Sequence, residues 1–378
     1  MSVRNLFVVI LFVASPNINA IYAQQKEDIY QEILDEANKK GLPAIVAFVQ
    51  SSDERNWKGK VGLTNLEQST QTDINQSFRI ASITKIFTSI IVLQLADENK
   101  INLSDAIGKY LDTETLSKIP HVNLITIDHL LSHSSGIYSF TENNNFWKEC
   151  YFNEGMSRPW EPNEIISYIE NKKPVHQPSE PYSKKSYSNT NYILLGMIIE
   201  KVTGNSLTNE YQKRIFTPVE MNHTFLEGHD QQNRDPVNTY AVPHSFFLKS
   251  AMKKRGIKKV EGSELINLSQ EYRFFNSWAW AAGGISSNIN DLSSFLAALR
   301  NGQLLSKESQ KILVSLNSSN DGKNTFFGGT GGSDGIQATM LHVMPADVVI
   351  IILINSSGQE QVNLSSVFVE LYKAASAP

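Results

Sequence analysis

The run ADVVIIILINSS, residues 346–357, constrains this chain more than any other segment. From Val348 to Ile354 every residue is apolar, so a strand formed there has no face to give to water and must be covered on both sides. AIVAFVQ, residues 44–50, reads as a second buried strand near the opposite end of the chain. Each strand has a helical pattern beside it. In EDIYQEILDEANKKGLP, Ile29, Ile33, Leu34 and Ala37 recur at helical spacing, and Gly41 and Pro43 end the pattern. VNLSSVFVELYKAA, after the C-terminal strand, is amphipathic in the same sense. Two chain ends that supply matched strands and helices predict an α/β (α+β) unit with a sheet flanked by the terminal helices. The sheet part covers residues of about 24–81 and 276–378. Between them, about 82–275, the patterns are mostly helical, as in SITKIFTSIIVLQLADEN, TIDHLLSH and NTNYILLGMIIEKVTG. A helical region inserted into a sheet domain leaves a cleft between the two.

Composition narrows the class. The 378 residues are 41% hydrophobic and 19% charged, an ordinary globular balance. A formal net charge of -4 gives no overall pull toward nucleic acid or an anionic membrane, and no nucleic-acid partner is expected. The single cysteine, Cys150, excludes an internal disulfide and has no catalytic signature around it, so it reads as a partly buried structural thiol. MSVRNLFVVILFVASPNINAIYAQQ has one basic residue, Arg4, then an apolar run from Leu6 to Ala14, then small and polar residues. That pattern predicts a secretory signal peptide over residues 1–23, with Ala20 and Ala23 as cleavage positions and Ala23 preferred; an uncleaved anchor is the competing reading. The expected mature chain, 24–378, is a single catalytic domain, exported to the periplasm or secreted, with no stable membrane span.

Two segments carry chemistry. In FRIASITKIFTSIIVLQLA, Ser82 opens a helical pattern and Lys85 follows three residues later, one turn on, so the two side chains share a face. A serine hydroxyl is a poor nucleophile until a base removes its proton, and a partly desolvated lysine serves. In KKSYSNTNYILLGMIIE, Tyr187 and Asn189 lie in a polar stretch just before an apolar helix. The tyrosine can shuttle protons and the asparagine can orient a carbonyl. Each motif by itself fits a capped helix or a loop.

Their order adds specificity. Ser82-Ile83-Thr84-Lys85, then Tyr187-Ser188-Asn189, then a glycine-rich strand in FFGGTGGSDGI (326–336), resembles the β-lactamase and penicillin-binding serine hydrolases, for which S-x-x-K is a known signature. Among these it resembles the class C β-lactamase and D-alanyl-D-alanine carboxypeptidase family. ITIDHLLSHSSGI, IFTPVEMNHTFL and AWAAGGISSNINDLSSF resemble three further family segments, and the likeness runs from about residue 27 to 375. The resemblance implies a β-lactamase/transpeptidase-like fold with an antiparallel sheet. It implies Ser82 as the acyl-forming nucleophile, Lys85 as its activator, and Tyr187 as the base in acylation and deacylation. Asn189, Thr330, Gly331 and Gly332 would line the substrate, with the N–H groups of Ser82 and Gly332 holding the oxyanion. The implied substrates are small amides or esters, D-Ala-D-Ala-type cell-wall peptides among them.

One position departs from the family. Where the third motif usually has Lys or His, this chain has Gly329. The site then has one fewer anchor for a substrate carboxylate, which favours an esterase or acyltransferase of the same fold, or a non-catalytic binding module. Lys184 or Lys185 could replace the charge. A different reading of the same glycines takes Gly331-Gly332-Ser333-Asp334-Gly335 as a G-x-S-x-G nucleophile elbow. The elbow needs strand, turn, then helix, and an acid followed by a histidine downstream. IQATMLHVMPADVVIIILIN instead reads as two strands joined at Pro345 and Asp347, and His342 precedes Asp347. His129 and His133 stand four apart, but without H-E-x-x-H no metal is expected, and no cofactor either.

Overall fold

The computed structural model describes residues 16–377 apart from 52–54, 154, 180–185, 231, 233, 272–273 and 275, and of residues 16–23, 270 and 271 only the backbone. Residues 1–15 of the expected signal peptide, and Lys184 and Lys185, lie outside the described residues.

The central sheet is drawn from both chain ends. Its strands are β1 (Ala44–Gln50), β2 (Asn56–Asn65), β3 (Thr70–Gln71), β4 (Ser318–Asn320), β5 (Thr325–Ser333), β6 (Ile336–Met344) and β7 (Val348–Ile354). They are ordered β3-β2-β1-β7-β6-β5-β4 and every pairing is antiparallel. The principal helices are α1 (Pro16–Lys39), α2 (Thr84–Asp97), α3 (Asn144–Phe152), α4 (Asn189–Thr203), α5 (Phe246–Arg255) and α6 (Leu364–Ser376).

The all-apolar run at 348–354 forms the middle strand, β7, paired with β1 on one side and β6 on the other. Strand side chains alternate between faces, and the two faces have different covers. Ile350, Ile352 and Ile354, with Ile45 and Ala47 of β1, pack on Tyr30, Leu34 and Ala37 of α1 and Val367 and Leu371 of α6. Val349, Ile351 and Leu353, with Val46 and Phe48, face the other way into the larger core with Phe87 and Ile90 of α2. Full burial of each such side chain contributes about 1.5–3 kcal/mol.

On that inner side α2 is buried nearly all round, from Thr84 to Leu93 and again at Leu95, as expected of a helix inside a domain. The chain enters it through the short strand Phe78–Arg79, which pairs with Ile285–Ser287, and then a 3-10 turn at Ala81–Ile83. Arg79 is buried and braces this entry. Its Nε donates to Glu227 Oε2 at 2.7 Å and its Nη2 to Oε1 at 2.9 Å, so both charges are desolvated together in a bidentate pair.

Two local expectations need correction. Cys150 is fully rather than partly buried, on α3, and burial pushes its thiol well above the ordinary range, so it stays protonated. The basic run AMKKRGIKKVEG, residues 251–262, whose charge predicts a solvated loop, is helical in its first half: Ala251–Arg255 belong to α5, which Gly256 closes at φ 69°.

Candidate active site

Ser82 lies in the 3-10 turn ahead of α2, between strained and buried neighbours. Ala81 before it has φ 44°, unusual for a residue with a Cβ, and holds the turn tight against β5. Lys85 is one turn on, 5% exposed, and its Nζ has three oxygen neighbours: Ser82 Oγ at 3.1 Å, Asn189 Oδ1 at 2.8 Å and Ala282 O at 2.6 Å. Burial holds this amine below the ordinary lysine range, and Tyr187 opposes the shift. An ammonium gives one N–H to each of these three oxygens, and a neutral amine fits the same geometry. Asn189 Oδ1 and Ala282 O can only accept, so they use the two N–H bonds of a neutral amine and leave its lone pair facing Ser82 Oγ. Asn189 is held in that sense because its Nδ2 donates to Thr141 Oγ1 at 3.2 Å.

Tyr187 completes the cluster. Its hydroxyl is 3.0 Å from Ser82 Oγ, and Lys85 Nζ lies 5.0 Å from its ring centroid. The residue is placed by the start of α4. Ser188 is the N-cap, Asn189 N–H donates to Ser139 Oγ at 3.1 Å, and Ser188 N–H donates to His133 Nδ1 at 3.2 Å. The imidazole of His133 packs on the Tyr187 ring at 4.3 Å between centroids. Burial, with the Lys85 charge second, pushes His133 down to about 3. His133 is therefore neutral when folded at pH values where the unfolded chain, with a histidine near 6.5, binds a proton. Stability is thus unaffected above about pH 6.5 and falls as pH drops toward 3, by up to about 1.4 kcal/mol per pH unit. Denaturant unfolding at about pH 7 and pH 5 checks this: His133→Gln is expected to flatten the loss between those values.

The third wall is β5. A Cβ added at Gly331 would lie 2.2 Å from Ile80 O and 2.9 Å from Ser82 N, so only glycine lets the strand run this close behind the serine. Gly332 follows, exposed on the opposite face, and Thr330 is exposed on that face too. Gly329 looks the other way: a Cβ there would meet Ile86 Cδ1 at 3.3 Å and Ile83 Cγ1 at 3.8 Å. A side chain in place of the family's cation would set out against the base of α2. Ser333 to Gly335 is the hairpin turn between β5 and β6, so the strand continues into a strand, as its sequence predicts, and no nucleophile elbow forms there.

A cleft of about 720 Å³ adjoins the cluster, with Asn189 and Gly332 in its lining. Thr330 and Gly331 do not line it. Trp147, Phe247 and Trp278 supply apolar wall, and Glu142 and Asp334 supply the carboxylates. Tyr151 donates its hydroxyl to Asp334, and His244 Nε2 stands 3.4 Å from it. Among the described residues that line the cleft there is neither Lys nor Arg. Among the described residues no group of His, Cys, Asp and Glu could hold a metal ion. His129 instead closes a capping box with Thr126.

Three participants were not placed at the site from the sequence: Ala282, whose carbonyl holds Lys85; Thr141, which orients Asn189; and His133, weighed there only as a metal ligand, which packs on Tyr187. Two of them sit in AWAAGG and LLSHSSGI, segments noticed only as part of a resemblance.

Comparison with known proteins agrees with this architecture. Residues 27–365 match the family described as Beta-lactamase. Protein flp of Staphylococcus aureus (strain MW2) is 28% identical over 244 residues, 60% of this chain and 46% of that protein. Teichoic acid D-alanine hydrolase of Staphylococcus aureus is 26% identical over 212 residues, 56% of this chain and 48% of that protein. The alignments thus span about half the length of these curated relatives. The D-stereospecific amidohydrolase from Streptomyces sp. superposes with a TM-score of 0.72 at 25% identity, covering 90% of this chain and 97% of its own. The D-amino acid amidase from Ochrobactrum anthropi SV3 gives a TM-score of 0.76 at 20% identity, covering 92% and 98%, and shares the fold.

Proposed function

The chain belongs to the Beta-lactamase family and is a serine hydrolase, and from that premise we propose that it removes D-aminoacyl groups from amides or esters through an acyl-enzyme on Ser82. The observation that carries the reading is the cleft beside the Ser82–Lys85–Tyr187 cluster, whose described lining holds two carboxylates and neither Lys nor Arg. Glu142 and Asp334 favour a substrate with a free ammonium and disfavour one that leads with a carboxylate. The D configuration is taken from what the amidohydrolase, the amidase and the teichoic acid hydrolase are named for.

The steps follow from the hydrogen bonds. Neutral Lys85, through its lone pair and with Tyr187 alongside, takes the Ser82 proton as Oγ attacks the acyl carbon. The N–H groups of Ser82 and Gly332 receive the oxyanion, an arrangement whose donors are each worth about 3–4 kcal/mol in acyl transfer. The C–N or C–O bond breaks as the Tyr187 hydroxyl protonates the departing amine or alcohol. The tyrosinate left behind either deprotonates the incoming water directly or takes the Lys85 proton, so that the neutral amine deprotonates the water; as the C–Oγ bond of the acyl-enzyme breaks, protonated Lys85 returns a proton to Ser82 Oγ. Asn189, in the cleft lining, flanks the acyl group. Export, with residues 1–23 as a signal peptide removed from a single domain at 24–378, is part of the proposal, and a cell-wall substrate would require it.

The test compares D-alanine p-nitroanilide with its N-acetyl derivative and with benzylpenicillin. The free amine is expected to be preferred by about tenfold or more in kcat/KM. Faster turnover of the N-acetyl compound or of penicillin would contradict the aminoacyl reading and favour a peptidase or lactamase.

A further inference from the structure

We propose that the outward face of α5 docks a linear polyanion, a polyol-phosphate polymer that carries the aminoacyl groups delivered to the cleft. The inference rests on the aminoacyl reading of that cleft. It comes from where the basic run falls in the fold. Ser245 caps α5 by accepting from Leu248 N–H at 3.1 Å, and His244, Ser245 and Phe247, at the same end, line the cleft. Phe247 and Lys254 are seven residues apart, two turns on one side of the helix. The Phe247 and Phe152 rings lie 6.3 Å apart, and Lys254 Nζ lies 5.4 Å from the Phe152 ring centroid. The helix therefore leads from the cleft wall outward, carrying its cations with it.

Those cations are clustered and exposed. Lys249, Lys253, Lys254 and Arg255 are exposed along α5, and Lys258 and Lys259 follow its glycine cap. No acidic residue occurs between 246 and 260, in a chain whose net charge is -4. Lys259 pairs with Glu264. Exposed cations are each worth little and are screened by salt, so one compact anion gains little here. A chain of repeated anions can meet several at once, over the more than one helical turn between Lys249 and Lys254. The cleft itself is acidic, so a polymer phosphate is held at the rim while an aminoacyl ammonium goes in. A membrane surface fits less well. The apolar residues Leu248 and Ala251 are turned into the core, and of the large side chains only Phe246, 75% exposed, faces outward.

The experiment measures binding of the full chain to unsubstituted poly(glycerol phosphate) by titration calorimetry at two salt concentrations. Wild-type protein is expected to bind, more weakly as salt rises. The triple variant Lys249→Gln, Lys253→Gln, Lys254→Gln is expected to bind about tenfold more weakly or worse, and the triple Lys→Arg variant to bind like wild type. Both variants are expected to keep wild-type kcat/KM on D-alanine p-nitroanilide. Unchanged affinity in the Gln variant overturns the proposal. So does binding seen only with phosphatidylglycerol vesicles and lost in Phe246→Ser. The polymer probe has no aminoacyl group, so failure of the aminoacyl reading appears in the small-substrate assay and failure of the docking surface in the binding assay.

Discussion

Lys85→Met lowers kcat/KM by about a thousandfold or more, and Lys85→Arg is no better. The second half of this expectation carries the information. If Lys85 acts as a fixed positive charge, arginine keeps the charge and retains activity. If it acts as a base, arginine fails, because a guanidinium does not give up its proton in a protein. The base reading rests on the lone pair that a neutral Lys85, its two N–H bonds given to Asn189 Oδ1 and Ala282 O, turns to Ser82 Oγ, and on the burial that lowers the lysine's proton affinity. It also fixes the sign of the pH dependence. The active form is the neutral amine, so kcat/KM rises with pH through the depressed lysine titration and levels off above it. The limb that Lys85 causes is absent from the residual activity of Lys85→Met. Met keeps an unbranched stem in the space from which Lys85 Nζ lies 5.0 and 5.5 Å from the Tyr187 and Tyr192 ring centroids, so unfolding midpoints measured alongside are expected to separate lost chemistry from lost structure.

Gly331→Ala lowers kcat by about a hundredfold, whereas Gly329→Ala, two residues away on the same strand face, changes it little. The added methyl at 331 meets backbone: Ile80 O at 2.2 Å and Ser82 N at 2.9 Å. Neither atom can move without moving the serine turn or separating β5 from it, and both displace an oxyanion donor. The methyl at 329 meets the end of the Ile86 side chain at 3.3 Å, which can give by a few tenths of an ångström. Burst kinetics with a chromogenic ester read both variants. Equal loss in the two would mean that the close approach behind Ser82 has no catalytic role.

The fold was legible where a pattern had one physical meaning. The apolar run at 348–354 could only be an inner strand, and its place as the middle strand, with β1 beside it, follows from that burial. The terminal helices were readable because Leu34 and Leu371 recur with helical neighbours, and both sit under the sheet. At the site, Ser82, Lys85, Tyr187 and Asn189 were readable as side chains of the right type in the right order, and the structure brings all four together. What stayed hidden were contacts made by main chain or by residues of no special chemistry. The carbonyl of Ala282 leaves no trace in a residue name. Thr141 and His133 act by position, across |i−j| separations of 48 and 55 to α4 and its cap. Gly329 was read as a lost cation facing the substrate; its missing Cβ faces Ile83 and Ile86 instead, which strand alternation alone could not reveal. The basic run was misjudged because lysines are neutral evidence between loop and helix, and the buried Leu248 and Ala251 that decide the matter need a packing partner to be recognised.

The most direct test of the whole account is the site of covalent modification. Folded full-length protein treated with a fluorophosphonate, digested and mapped by mass spectrometry, is expected to carry the adduct on the Ser82 peptide, and Ser82→Ala to carry none. An adduct on Ser333, or none on Ser82 under conditions that label another serine hydrolase of this fold, would contradict it.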